Sequence, residues 1–353
     1  MQKILSVKKL CVFILIELFL SLNVFSQNSK TQLEELTEKA TEICKKLNIG
    51  AIKDALFSDI ISFFRIIAGS FGICICVIII ASVFAIFKTS LSANYNITEC
   101  ITSTLLILYC YRIFDICFDK IQSHLSSLCA LMLSFVPIQT ALLASGGATV
   151  TSGVFSSAGS FSISLIEIIS CSLVIPLIKV SFTINTVNVL CKDMNFSGIG
   201  TFIKSLTLWI IGLSFTLLSG VFALQSALST SSDTLTLKGI RFGATRLIPV
   251  AGSFIGESLR TVLSSVSYIK SITGVSGIVL LIYSTIPPLS AIIVTKLFFS
   301  FLGAISKVAN TKQISSFLES TSSLLNVLSA LLIGCVTAFI AMLTIFLKCT
   351  VIL

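Results

Sequence analysis

Two ionisable side chains, Glu167 and Lys179, stand inside one apolar run of this 353-residue chain, with Pro176 between them. A charge at the depth of a hydrocarbon core is costly and as a rule faces a bundle interior or an aqueous path. On a straight helix the two lie about 120° apart, so they need not pair with one another. Two readings stay open: Lys179 reaches towards an interface while Glu167 meets a hydroxyl or another subunit, or both border a hydrophilic path. A second concentration of charge, Lys238, Arg241 and Arg246, runs up to Pro249 and Gly252, and Pro287-Pro288 interrupts a later apolar run. Irregular backbone at membrane depth is tolerated only where protein covers it or where it lines a water-filled cavity. These interruptions are therefore the candidate conduit or packing positions.

Catalytic chemistry has little to work with. His124 is the single histidine, which excludes a histidine-rich metal site and a His-Glu-x-x-His protease, and no Gly-x-x-x-x-Gly-Lys loop is present to hold nucleotide phosphates. The chain reads as non-enzymatic, with no cofactor. His124, near Asp115, Asp119 and Lys120, is expected at a solvated interface, and Arg112 is spaced to pair with Asp115 three residues on.

The elements that must position these residues are membrane helices. Of the residues, 55% are hydrophobic and 11% charged, against about a quarter charged in an ordinary soluble domain. That is too little charge for a water-facing surface. Apolar runs long enough to cross a core of about 30 Å recur from residue 63 almost to the carboxyl end. The net charge of +9 is spread singly between those runs instead of forming a basic patch, so it points to membrane orientation and not to nucleic acid. Most of the twelve cysteines, among them Cys74, Cys110, Cys129 and Cys335, lie inside apolar runs and read as small fillers.

Residues 1–26 read as a signal peptide: Lys3, Lys8 and Lys9 precede an apolar run, with Glu17 as a departure, and Val24-Phe25-Ser26 suits cleavage. An uncleaved anchor is the alternative, and either places the segment after Ser26 outside the cytoplasm. Residues 27–62 form an extracytoplasmic segment in which Leu33, Leu36, Ala40, Ile43 and Leu47 mark a short amphipathic helix, lying on the membrane or docking a partner. Residues 63–353 form the membrane domain. Seven runs, at 63–87, 101–118, 125–144, 163–187, 203–225, 272–302 and 324–347, predict an all-α polytopic bundle of about seven spans. Five crossings from an outside amino end would bring 226–271 into the cytoplasm, as the positive-inside rule expects of the most basic connection. Run 272–302 is either one kinked crossing or two short helices that return to the same side. The glycine- and serine-rich stretch 145–164 is either a re-entrant loop or a flexible connection.

At about 233–270 the pattern predicts an amphipathic hairpin. Ile240, Ala244, Leu247 and Ile248 share one face before Pro249, and Ile255, Leu259, Val262, Leu263, Val266 and Ile269 form a stripe after it. Gly239 with Gly243, and Gly252 with Gly256, place small residues four apart, which permits close helix approach and a possible homo-oligomer.

The run from Thr236 through Lys238, Gly239, Arg241, Gly243, Arg246, Pro249 and Gly252, followed by Lys270, Gly274 and Gly277, resembles the central signature of the stage III sporulation protein AE family. The upstream run Gly146-Gly147-Ala148-Thr149-Val150-Thr151-Ser152 is similar to that family too. The order of segments fits it over nearly the whole chain. Gly239 and Gly243 stand where the family tends to have alanine, and Pro287-Pro288 is unusual, which puts local helix geometry in question. The resemblance implies a component of the channel, or feeding-tube apparatus, joining mother cell and forespore in endospore-forming bacteria. It implies a place in the mother-cell-derived membrane around the forespore. The implied partners are the other proteins of the same operon, including a secretion-type ATPase and ring-forming proteins, and indirectly the forespore protein Q. Three roles remain: a conduit component, a non-conducting scaffold, and an independent secondary transporter, the last lacking a convincing internal repeat.

Overall fold

The computed structural model describes residues 49–86, 95–190, 196–231, 252–309 and 311–349. Among them every regular element is helical, as the sequence predicts. In chain order these are α1 (Ile49–Ile86), α2 (Tyr95–Ser145), α3 (Thr149–Glu167), a π segment (Ile168–Val174), α4 (Ile175–Leu190), α5 (Ser197–Ser231), α6 (Gly252–Val308) and α7 (Lys312–Lys348). The α3–π–α4 stretch is one rod, so the described residues form six helical rods, each apolar and long enough to cross a membrane.

The runs predicted as separate spans at 101–118 and 125–144 share α2. The polar residues between them, Asp119 to His124, do not turn the chain, because they carry no helix-breaking residue and sit on a helix whose other faces are packed. At 51 residues α2 is about 76 Å long, and it crosses a bilayer at most once. The stretch 145–164 is neither a loop nor re-entrant. α2 ends at Ser145, Gly147 takes φ 83°, and the amides of Gly147 and Ala148 close onto the carbonyls of Ala144 and Leu143 at 3.0 Å each. Positive φ is the glycine conformation of a helix end. From Thr149 the serines return their hydroxyls to the helix, Ser157 to Gly153 O at 3.0 Å and Ser162 to Ala158 O at 2.7 Å, so a polar composition folds as a membrane helix.

The prolines do not break the helices. Pro176 has no amide for the carbonyl of Ser172 and its ring would crowd that turn. The π segment lies immediately before it and widens the turn. At Pro287-Pro288, α6 continues unbroken, which makes 272–302 a single crossing. Local hydroxyls cluster there: Thr285 donates to Leu281 O at 2.6 Å and Ser290 to Pro287 O at 2.7 Å.

Contacts fix the direction of the rods. Cys74 lies against Cys110 and Lys120 over Phe63, so α1 and α2 are antiparallel. Gly303 meets Leu318 and Gly274 meets Leu347, so α6 and α7 are antiparallel along their length. Phe155 packs on Phe346 and Phe182 on Phe317, which sets the α3–α4 rod against α7. α7 is the central post: Leu325, Leu328, Leu332, Phe339, Met342 and Phe346 are fully buried. Gly334 lets the Phe215 ring of α5 sit against the post's backbone, where a Cβ would collide with it.

The six alternating rods place the amino end of α1, the α2–α3 turn, the end of α5, the start of α6 and the end of α7 on one face. The α1–α2, α4–α5 and α6–α7 connections lie on the other. This corrects the orientation expected from sequence. With α2 a single rod, four crossings separate Ile49 from Ser231, so an outside amino segment and a cytoplasmic basic connection exclude one another. Residues 1–48 and 232–251, with the signal peptide, most of the amphipathic segment and the first arm of the hairpin, lie outside the described residues; the second arm opens α6.

The packing has two measurable outcomes. Single cysteines at Ser145 and Ser231 should react with a membrane-impermeant thiol reagent from one side, and cysteines at Ser197 and Thr311 from the other. Labelling of Ser145 and Ser231 from opposite sides would overturn the six-rod order. Gly334→Val, which overpacks the α5–α7 contact, should cost about 1–3 kcal/mol. Gly220→Ala, with open space around it, should cost nothing; thermal unfolding of the two purified variants in detergent compares them.

Candidate functional site

Polar groups lie on the outer wall of the bundle, between rods. α2 carries Asp115 and Asp119 one turn apart on one face. Beside them α4 presents Lys179, whose Nζ lies 3.9 Å from Asp115 Oδ1 and 3.7 Å from Asp119 Oδ1. All three side chains are partly exposed, at 43%, 45% and 68% for Lys179, Asp115 and Asp119. Beneath the cluster is an aromatic floor. Phe114 stacks on Phe182 at 4.0 Å and 14°, and Lys179 lies 5.9 Å from the centroid of Phe118. On the other flank of α2, Lys120 sits 4.9 Å from the centroid of Phe63 of α1. Lys307 of α6 pairs with Glu319 of α7. The result is a belt of charge around rods whose surface above and below is apolar, with Leu108, Ile116 and Val180 exposed beside it.

Lys179 therefore has an explicit counter-charge, and it is not Glu167. Glu167 is the last residue of α3, exposed, about 18 Å along the rod from Lys179. Pro176 is exposed just after the π segment. Pro287 and Pro288 lie within α6, partly buried and buried respectively. Gly252 is the first residue of α6. Lys238, Arg241, Arg246 and Pro249 lie outside the described residues. The expected Arg112–Asp115 pair does not form, since Asp115 turns to Lys179. His124 is not fully solvated: its Nε2 is buried, without a hydrogen-bond partner among the described residues.

Sequence reasoning missed the role of Asp115 and Asp119 as partners of Lys179. Their four-residue spacing was the available signal. Lys270, named in the sequence as part of the family-like run, proves to be buried on α6, where it donates to the carbonyl of Cys349 and closes the end of α7, its ammonium 5.4 Å from the centroid of Phe346. A cation at a helix carboxyl end is favourable. Gln139 and Gln225, each almost fully buried, have no hydrogen-bond partner for their amide atoms among the described residues. Cys335 lies 3.2 Å from Ser170 Oγ, so this filler thiol also meets a polar neighbour at the π segment.

A helical bundle of six membrane-length rods with ion pairs between the rods defines a polytopic membrane protein. Comparison with known proteins then gives its family. The family model for stage III sporulation protein AE matches residues 27–350, and the chain belongs to that family. The stage III sporulation protein AE of Bacillus subtilis (strain 168) is 23% identical over 177 residues, covering 50% of this chain and 44% of that protein. The matched part thus spans less than half the length of that relative. No solved structure matches the chain.

The charge belt makes a sharp prediction. An exposed ion pair in water contributes about 0–1 kcal/mol, whereas one charged side chain at mid-membrane costs about 2.5–3.5 kcal/mol on the insertion scale. Because the residues around the belt are apolar, Lys179→Met should show the larger loss in SDS unfolding from mixed micelles. Adding Asp115→Asn and Asp119→Asn to it should recover most of that loss. No recovery in the triple variant would remove the counter-charge role.

Proposed function

We propose that this chain is a membrane component of the channel between mother cell and forespore, required for forespore development during endospore formation. Family membership supplies the sporulation context. The observation that carries the conduit reading is the Lys179–Asp115–Asp119 belt on the outer wall of the bundle. Charge held there is stabilised where water or a polar partner reaches it. The described core is filled: between α3, α5 and α7 a small apolar cavity of about 10 Å³ remains, lined by Leu165, Ser170, Ile211, Phe215 and Cys335, the volume of about one water. A path would thus run between chains, formed by several copies or with small membrane partners, in the mother-cell-derived membrane around the forespore. The other stage III sporulation A proteins, including a secretion-type ATPase and ring-forming proteins, are the proposed partners, with the forespore protein Q reached indirectly.

The filled core equally favours a second reading, a scaffold that orients those partners while nothing passes along it. Single cysteines at Ile116 and Ser123, exposed beside the belt, separate the two in a version lacking native cysteines. In sporulating cells the conduit reading expects both to react with a small hydrophilic thiol reagent, and Lys179→Met to abolish late forespore gene expression at normal protein level. Unreactive cysteines with expression intact would leave the scaffold.

A further inference from the structure

The apolar length of the chain exceeds one bilayer. Phe114 of α2, Phe182 of α4 and Phe317 of α7 touch in series, which sets a common level across the rods. Gly303 of α6 meets Leu318 beside it, and Gly200 of α5 meets Asn185 within a turn of Phe182. Above this level, towards the α1–α2 connection, α4 to α7 extend no more than about 12 Å. α2 runs on to Tyr95, about 28 Å, and α1 accompanies it through the contact of Cys74 with Cys110. The α1–α2 hairpin thus stands about 16 Å clear of its neighbours.

Below the level, α7 carries no charge over residues 320–347, about 42 Å, the thickness of a bilayer with its headgroups. Both ends of that length have the marks of a membrane surface. At one are the charge belt and, on α5, Trp209, 68% exposed; at the other are Lys348, Lys270 and Tyr268, 60% exposed. One bilayer is filled by it. The hairpin beyond the belt is nonetheless apolar: no charge stands between Arg65 and Lys88 or between Glu99 and Arg112. Ile79, Ile80 and Val83 of α1 and Ile101, Leu105 and Leu108 of α2 are 45–61% exposed. A helix that lacks a polar face is stable only inside protein or lipid. These side chains lie on both helices, so a partner on one side would leave the other bare, whereas a fluid apolar layer covers them all.

We propose that the α1–α2 hairpin crosses a second bilayer, stacked on the one that holds the other rods, with the Lys179–Asp115–Asp119 belt between the two. By sequence, residues 66–87 give about 33 Å of uncharged helix length, enough for a hydrocarbon core of about 30 Å. On α2 the uncharged run 100–111 is shorter, about 18 Å, and a long side chain such as Arg112 at its foot extends it by reaching for the belt. Lys88 and Glu99 flank the turn in sequence and mark the far surface. The length of α2, about 76 Å, then corresponds to two hydrocarbon cores of about 30 Å each with a polar layer between them. In that layer the belt charges meet headgroups and water, which accounts for charge set between two apolar lengths. The proposal is independent of the conduit reading, since a chain can join two bilayers and pass nothing.

The test uses the full chain with native cysteines replaced and a polarity-sensitive fluorophore on a single cysteine, at Ile79 or Leu105 of the hairpin or at Leu217, exposed on α5. In nanodiscs, which offer one bilayer, brominated acyl chains should quench the α5 label several-fold more than either hairpin label. In vesicles formed by removing detergent, all three labels should be quenched alike. Electron cryo-tomograms of those vesicles should show paired bilayers with centres about 40–45 Å apart, the thickness of one bilayer with its headgroups. The double variant Ile79→Glu with Leu105→Glu should lose the pairing while the α5 label stays quenched. Equal quenching of hairpin and α5 labels in nanodiscs overturns the proposal, because one bilayer then holds both lengths. Hairpin labels that stay unquenched in vesicles overturn it too and give the hairpin to protein contact. So do bilayers that never pair.

Discussion

In hydrocarbon no water completes an unpaired amide or carbonyl, and the rest of this structure answers to that constraint. It keeps the rods continuous where the sequence would interrupt them in water. Four prolines of the described residues, Pro137, Pro176, Pro287 and Pro288, lie within rods and none ends one. At Pro176 the backbone is adjusted locally by the π segment just before it, and at Pro287-Pro288 the helix runs on without a break. The same economy explains serines and threonines at membrane depth, whose hydroxyls mostly return to carbonyls three or four residues back and present few donors to lipid.

Among so many returned hydroxyls the unreturned polar groups stand out. Lys179 is paired with two aspartates of α2, a cluster that ties α4 to α2. Lys270 is spent on the end of α7. Both hold helices together with charges whose cost is offset inside the chain. Glu167 is the opposite case, a carboxyl group turned outwards. The first two tie helices of the bundle to one another; the third is left on its outer face.

Composition and apolar periodicity made the fold class legible, because in a membrane span length is nearly the whole signal. The division into spans was less legible. Asp119 to His124 looks like a connection by polarity, yet polarity alone does not turn a helix; a turn needs a residue such as Gly147 at positive φ. The run from Ser145 to Ser164 failed in the other direction, since glycine and serine read as loop while the serine hydroxyls were free to bond within a helix. Of the candidate site, Lys179 and Glu167 were visible as lone charges, but which partner each would find was not. Asp115 lies 64 positions away in sequence from Lys179, and only the packing of α2 against α4, through Phe114 and Phe182, brings them together.

Counting α2 as one crossing has a consequence for orientation that neither end of the chain decides alone. By sequence position Lys88, Lys192, Lys204, Lys307 and Lys312 border the α1–α2, α4–α5 and α6–α7 connections. Lys45, Lys46, Lys53, Lys238, Arg241, Arg246, Arg260 and Lys348 border the ends of rods on the opposite face. Lys270, buried at the end of α7, is not a loop charge in the sense the positive-inside rule counts. Even without it the second set is the larger, so the rule by itself turns that face, and the amino segment with it, towards the cytoplasm. The signal-like residues 1–26 pull the other way, and the first apolar segment of a chain usually dominates orientation. If that segment exports the residues after it, the basic connection between α5 and α6 faces away from the cytoplasm as well.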